Sequence, residues 1–167
     1  GKYIVSLSGR RDGSSNFGPG RQFGNFASAG LGWIFSEESG FQKAVRFISF
    51  GKLSANYGTT GSDGVDPYRY QPFYAIDGQY ASFQGVRTYL PYNLFNPGYS
   101  WSQKKAWNVG LELGFVKDRI VTTINWYQNR MSDQLIPYDL PAITGFTSVV
   151  GNFPATIQNR GVEVSIR

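Results

Sequence analysis

Apolar and polar side chains alternate along several segments of this 167-residue chain. In a β-strand, successive side chains point to opposite faces, so a period of two predicts strands with one apolar and one polar face. The clearest example is segment 105–116, where Trp107, Val109, Leu111, Leu113 and Phe115 alternate with Asn108, Gly110, Glu112 and Gly114. Similar patterns at 2–11, 26–35, 45–57, 119–130 and 161–166 bring the total to six predicted strands.

Composition places the chain in the all-β class and argues against catalysis. The chain has 21 Gly and 17% aromatic residues, which weaken helices and favour sheets respectively. It has no Cys and no His, which removes thiolate zinc sites, cysteine nucleophiles and the commonest general base. We therefore expect no enzyme activity, no catalytic residue, no metal site and no cofactor. The net charge of +5 is scattered along the chain, so no nucleic-acid partner is expected.

The connections between the predicted strands alternate in length. Long loops are predicted at 12–25, 58–104 and 131–159, and short turns at 36–44 and 117–118. This rhythm is typical of outer-membrane β-barrels, which have long external loops and short periplasmic turns. Six strands are fewer than the roughly eight that close a barrel, so we expect an antiparallel meander that is part of a larger transmembrane barrel.

Two architectures explain an apolar face equally well. In a barrel wall that face contacts lipid, whereas in a soluble β-sandwich a second sheet covers it. The sandwich alternative corresponds to a carbohydrate-binding module with an aromatic loop. Glu112 and Glu163 lie in mid-strand on the polar parity, which favours the barrel wall. Exposure of the stripe from Trp107 to Phe115 distinguishes the two.

Four blocks of sequence carry a family resemblance over most of the chain. They are YIVSLSGRRDGSSNFGPGRQFGNFASAGLGWIFSEE (3–38), LSANYGTTGSDGV (53–65), FNPGYSWSQKKAWNVGLELGFVKDRI (95–120) and INWYQNRMSDQLIPYDLPAITGFTSVVGNFPATIQNRGVEVSI (124–166). In this order they resemble the SusC/RagA-type TonB-dependent outer-membrane transporters. Residues between about 66 and 94 match no motif of that family.

The resemblance implies a barrel of roughly 22 strands with an N-terminal plug, of which this chain is a fragment from the C-terminal half. It implies a location in the bacterial outer membrane, in contact with the lipid bilayer. It further implies import of a nutrient such as a glycan or an oligopeptide. The partners implied are a SusD-like surface lipoprotein and TonB, which acts through a plug that this chain lacks.

Two groups of candidate functional residues follow. Aromatic residues of the 58–104 loop are candidates for stacking on substrate or contacting the lipoprotein, the alternative being that they hold the loop together. The candidates are Tyr68, Tyr70, Tyr74, Tyr80, Tyr89, Tyr92 and Trp101. Polar residues on the inward parity are expected to line the lumen or contact the plug, namely Asn108, Glu112, Asn125, Asn129 and Glu163. The sequence does not indicate which substrate is imported.

Overall fold

The computed structural model describes residues 1–45, 47–64, 67, 70–76, 84–94 and 96–167. The described residues form ten strands: β1 (Tyr3–Gly13), β2 (Phe23–Trp33), β3 (Ile48–Ser62), β4 (Tyr74–Ile76), β5 (Tyr89–Pro91), β6 (Ser102–Phe115), β7 (Ile120–Ser132), β8 (Gln134–Asp139), β9 (Ser148–Phe153) and β10 (Ile157–Ile166). One short helix, α1 (Ser39–Ala44), and 3-10 turns at Phe35–Glu37 and Ala142–Thr144 complete the elements. Within these residues no helix is long and apolar enough to cross a membrane.

Six strands form one antiparallel sheet in the order β1-β2-β3-β6-β7-β10, which is the meander predicted from the sequence. Two small hairpins, β4–β5 and β8–β9, lie within the connections. The connections β1–β2, β3–β6 and β7–β10 leave the sheet at one end, here called the loop end. The connections 34–47 and 116–119 lie at the opposite, turn end. Strands extend two to five residues into each predicted long loop.

The register of the sheet joins the separate apolar stripes into one continuous surface, here called the apolar face. One row of directly opposed residues crosses all six strands in the order Val5, Leu31, Ala55, Val109, Trp126 and Val162. Because a shift of one residue would turn every side chain to the other face, this agreement among five strand pairs shows that the register follows the hydrophobic pattern. The opposite surface, here called the polar face, carries small and polar side chains.

No second sheet covers the apolar face within the described part of the chain. Val5 is 66% exposed, and Leu31 and Val162 are each 62% exposed. The hydrophobic side chains that are buried among the described residues, Phe17, Phe26 and Tyr99, do not belong to this stripe. This exposure agrees with the predicted barrel wall, whereas the core of a soluble sandwich would bury the apolar face.

The turn end is held by a small polar cluster around Glu38. Its carboxylate accepts hydrogen bonds from the Lys2 ammonium at 3.0 Å and from the Tyr3 hydroxyl at 2.9 Å. The hydrogen bond from Lys2, followed by the one from Tyr3, holds the pKa of Glu38 below its usual value. These contacts tie the connection after β2 to the start of β1 and so brace the edge of the sheet.

Candidate functional site

The loop end is organised around residues 96–101, here called the central segment. It turns sharply at its start, where the Asn96 side-chain oxygen accepts a hydrogen bond from the Gly98 amide at 3.0 Å. Such a bond from an Asn side chain to the backbone two residues later is typical of a tight turn. The segment then runs between the 14–22 loop on one side and the β8–β9 hairpin on the other, and it contacts both.

An aromatic cluster connects the central segment to the 14–22 loop. Phe17 and Tyr99 are 0% and 1% exposed, and their ring centroids are 5.8 Å apart. The Trp101 ring lies 5.2 Å from Phe17 and 5.7 Å from Phe26, in tilted and edge-to-face arrangements. The Trp101 indole also donates to the Gln22 carbonyl at 3.3 Å. These rings form the buried core of the loop end, and offset aromatic pairs of this kind add stability beyond area burial.

Asn152 of β9 connects the central segment to the hairpin. Its side-chain nitrogen donates to the carbonyls of Ser100 and Asp133, each at 2.9 Å. Its side-chain oxygen accepts from the Ser100 amide at 3.0 Å. The Asn96 side chain donates to the Val150 carbonyl at 2.8 Å and adds a second link. Through these bonds the three long connections form one assembly.

We expect Asn152→Ala to free the central segment from the hairpin. The substitution removes three hydrogen bonds and leaves partly buried backbone groups without partners, at a local cost of about 1–3 kcal/mol. Hydrogen exchange at the Ser100 amide should therefore accelerate, while exchange within β6 and β7 stays unchanged. Asn129→Ala, on the polar face, is the matched control. Equal Ser100 exchange in the Asn152 variant and the wild type would contradict this role.

An open groove of about 540 Å³ lies between the central segment and the β8–β9 hairpin. Its volume is within the usual range for small-molecule sites. Polar side chains and two glycines share its lining with two aliphatic residues. The lining residues are Asn96, Gly98, Tyr138, Asp139, Leu140, Val149, Gly151 and Asn152.

The predicted loop aromatics occupy different environments. Trp101 belongs to the aromatic cluster, and the Tyr70 ring lies against Gly18 of the 14–22 loop. Tyr74 and Tyr89 of the β4–β5 hairpin are 63% and 62% exposed, and Tyr92 is 73% exposed. Tyr68 and Tyr80 lie outside the described residues. Trp101 and Tyr70 thus contact other parts of the loop end, whereas the other three tyrosines present their rings to solvent.

The five polar candidates of the strands share the polar face. In the register, Asn125 pairs with both Gly110 and Glu163, Glu112 pairs with Thr123, Asn108 with Tyr127 and Asn129 with Ala106. The Asn125 side-chain oxygen lies 2.7 Å from the point that a Cβ at Gly110 would occupy. Glycine at this position lets a polar side chain lie flat against the sheet. Within the described residues no acidic group of three or more is arranged to hold a metal ion.

Sequence reasoning missed Phe17, Tyr99, Asn96 and Asn152 as organising residues. The signals available were an Asn-Pro-Gly triplet at 96–98 and a Gly-Asn-Phe triplet at 151–153, both of which indicate turns or breaks in a strand. Neither triplet indicates that both Asn side chains link the central segment to the β8–β9 hairpin. Contacts of this kind become visible only after the long connections are brought together.

A single sheet with one apolar and one polar face, long connections at one end and short ones at the other, defines the wall of a membrane β-barrel. No family model matches the chain. Individual proteins do match, over 99% of its length. TonB-dependent receptor P39 of Formosa agariphila is 36% identical over 165 residues, and TonB-dependent receptor SusC of Bacteroides thetaiotaomicron is 32% identical over 169 residues.

Solved structures agree with the sequence relatives. The RagAB peptide importer in its closed-closed state superposes with a TM-score of 0.87 at 26% identity, and its open-open state with a TM-score of 0.85. Over 99% of its length the chain is similar to SusC/RagA-type TonB-dependent receptors, which confirms the resemblance drawn from its sequence. It spans 15% and 17% of the length of the two receptors above and 18% of the RagAB chain.

Proposed function

We propose that this chain forms part of the barrel wall of a bacterial outer-membrane transporter that imports a nutrient, either a glycan or an oligopeptide, with energy delivered by TonB. The observation that carries the proposal is the two-faced sheet whose long connections assemble into one folded loop end. Its relatives are TonB-dependent receptors, and the similar solved structure is described as a peptide importer. The role assigned to this part of the protein is passive and non-enzymatic.

The two faces of the sheet have separate roles in this proposal. The apolar face contacts lipid, because its large side chains are exposed in a band that crosses all six strands. The polar face lines the lumen, where Asn108, Glu112, Asn125, Asn129 and Glu163 contact water, substrate or the plug through which TonB acts. Polar residues that face a lumen avoid the cost of facing lipid.

The loop end provides the external surface. Tyr74, Tyr89 and Tyr92 present exposed rings suited to stacking on sugar or peptide, or to packing against a SusD-like lipoprotein. Tyr68 and Tyr80, outside the described residues, stay candidates from the sequence for the same contacts. Trp101 and Tyr70 support it from within the loop end. The surface therefore consists of exposed rings carried on an assembly that the aromatic cluster and Asn152 stabilise.

Uptake by the full-length receptor tests the proposal. Cells that express it should accumulate labelled oligosaccharide or oligopeptide only when TonB is present, and the substrate class is the one that accumulates. A combined Tyr74→Ala, Tyr89→Ala and Tyr92→Ala variant should reduce uptake about 100-fold, since stacking on each ring is worth about 1 kcal/mol. Ile143→Ala, which changes another exposed loop-end side chain, is the control. TonB-independent accumulation, or none with either class, would refute the proposed import.

A further inference from the structure

Three cationic side chains lie close together at the loop-end margin of the apolar face. Lys105 of β6 is directly opposite Arg130 of β7. Arg160 of β10 pairs with Gln128, which lies two residues before Arg130 in β7 and on the same face, a spacing here called one same-face step. All three side chains are exposed. In the same register, Gln128 pairs with Trp107 on its other side, so Arg160 shares the row of Trp107, and Lys105 and Arg130 lie one row further toward the loop end.

Among the described residues, none of these three cations forms an ion pair with an acidic side chain. The ion pairs among the described residues join Lys2 to Glu38 and Arg10 to Asp12. The mid-strand acids Glu112 and Glu163 lie on the polar face. Like charges directly opposite each other on neighbouring strands destabilise a sheet, and Lys105 and Arg130 are such a pair. An anion bound from outside would offset that repulsion.

Amide groups stand between the cations. The Gln128 side chain donates to the Gln158 side-chain oxygen at 3.3 Å, and Gln158 is the residue directly opposite Arg130. The margin therefore offers guanidinium, ammonium and amide donors within two adjacent rows of three neighbouring strands. Guanidinium groups in particular match the geometry of phosphate oxygens.

Arg11 of β1 extends the series along a line that crosses the sheet. The row of paired residues that contains Arg160 crosses the sheet to Leu7 of β1, at the opposite edge. Arg11 lies two same-face steps from Leu7, toward the loop end. Those two steps correspond to about 13 Å along the strands, and the five strand spacings between the two residues correspond to about 24 Å. The line is thus inclined by roughly 30° to the rows, close to the 35–45° by which barrel strands tilt from the axis. Such a line follows one depth in a membrane.

We propose that Lys105, Arg130 and Arg160 bind the phosphate of a phosphorylated lipid of the outer leaflet, whose acyl chains lie on the apolar face beside Trp107. The proposal rests on the proposed outer-membrane function. Its basis is the position of the cations: they lie at the boundary where a lipid has its charged headgroup, with the apolar band directly below. The turn end differs, because there Lys2 is neutralised by Glu38 and Asp118 lies between Lys117 and Arg119.

Retention of lipopolysaccharide by the full-length receptor in detergent tests this site. Native mass spectrometry measures binding of purified lipopolysaccharide and of the same material after enzymatic dephosphorylation. A Lys105→Gln, Arg130→Gln, Arg160→Gln variant should bind phosphorylated lipopolysaccharide about 100-fold more weakly, since each cation near an anionic lipid contributes about fivefold. The wild type should bind the dephosphorylated lipid as weakly as the variant binds the phosphorylated one.

Three comparisons make the result decisive. A Lys117→Gln, Arg119→Gln, Arg167→Gln variant removes the same charge at the turn end and should bind like the wild type. An Arg130→Lys, Arg160→Lys variant keeps the charge and should retain most of the binding. Heat-modifiability on gels confirms that each barrel is folded. Equal lipid binding by the wild type and the Gln variant of the cluster would overturn the proposal. So would a wild type that binds inorganic phosphate but not the lipid, or a Gln variant that loses the lipoprotein partner and keeps the lipid.

Uptake measured on the same preparations separates this site from the proposed function. A receptor that imports its substrate but shows no phosphate-dependent lipid binding overturns the lipid site alone. A receptor that is absent from the outer membrane, or that imports nothing, overturns the proposed function. Its lipid binding in detergent still tests whether Lys105, Arg130 and Arg160 bind the lipid phosphate.

Discussion

Replacing Phe17 with alanine should destabilise the loop end by about 3–5 kcal/mol, the usual cost of removing a buried aromatic ring. The Phe17 side chain is fully buried, and its ring contacts Tyr99 and Trp101 at centroid distances of 5.8 and 5.2 Å. Its removal leaves a cavity between the 14–22 loop and the central segment. Because the six-stranded sheet does not depend on this ring, we expect local rather than global unfolding.

Hydrogen exchange followed by mass spectrometry on the full-length receptor measures this effect. Amides in 14–22 and 96–101 should exchange about 100-fold faster or more in Phe17→Ala, while those in β6 and β7 keep their protection. Phe23→Ala is the matched control, because that ring is 60% exposed. Phe17→Leu should lie between the two, since it fills part of the cavity. Unchanged protection of 96–101 in the alanine variant would mean that the cluster does not hold the loop end together.

The strands of the sheet could be predicted because their signal is local. Alternation between neighbouring residues reports the two faces of a strand directly, and β6 shows it from Trp107 to Phe115 without interruption. The same signal cannot say what covers the apolar face, because a sandwich core and a lipid-facing wall use the same pattern. The open apolar face of the structure and the family relatives resolve this ambiguity.

Strand ends were harder to predict because the pairing partner decides them. The sequence predicts a loop at 58–62, where Gly, Ser and Thr residues resemble a connection. In the structure these residues continue β3, paired with β6 from Gly58 opposite Ala106 to Ser62 opposite Ser102. A neighbouring strand that offers free backbone groups extends the ladder regardless of weak local preference.

Trp101 illustrates why the loop-end site could not be read from the sequence. Its position in an aromatic-rich loop predicted a substrate or partner contact, with support of the loop as the alternative. In the structure its ring contacts Phe17 and Phe26, which lie far away along the chain, on the other side of β3. No periodicity connects such positions, so the distinction between exposed tyrosines and supporting rings required the three-dimensional arrangement.

The second large effect is expected for Leu111→Arg, which should destabilise the membrane-inserted barrel by about 2–4 kcal/mol. Leu111 lies at the middle of the apolar stripe of β6, between Leu53 and Ile124 of the neighbouring strands. At this position the arginine side chain would face the centre of the hydrocarbon layer, where a charge is poorly solvated. The measurement is the urea concentration at which the full-length receptor folds into phospholipid vesicles, compared between variant and wild type.

Asn108→Arg on the same strand places the same side chain on the polar face, next to Tyr127 of β7. If that face lines a water-filled lumen, the arginine stays hydrated and the folding midpoint changes by less than about 1 kcal/mol. The two variants thus separate the destabilisation caused by the charged side chain itself from the destabilisation caused by the environment of the face that carries it. Equal destabilisation at both positions would show that the faces do not differ in environment, and a larger cost at Asn108 would reverse the assignment of lipid and lumen.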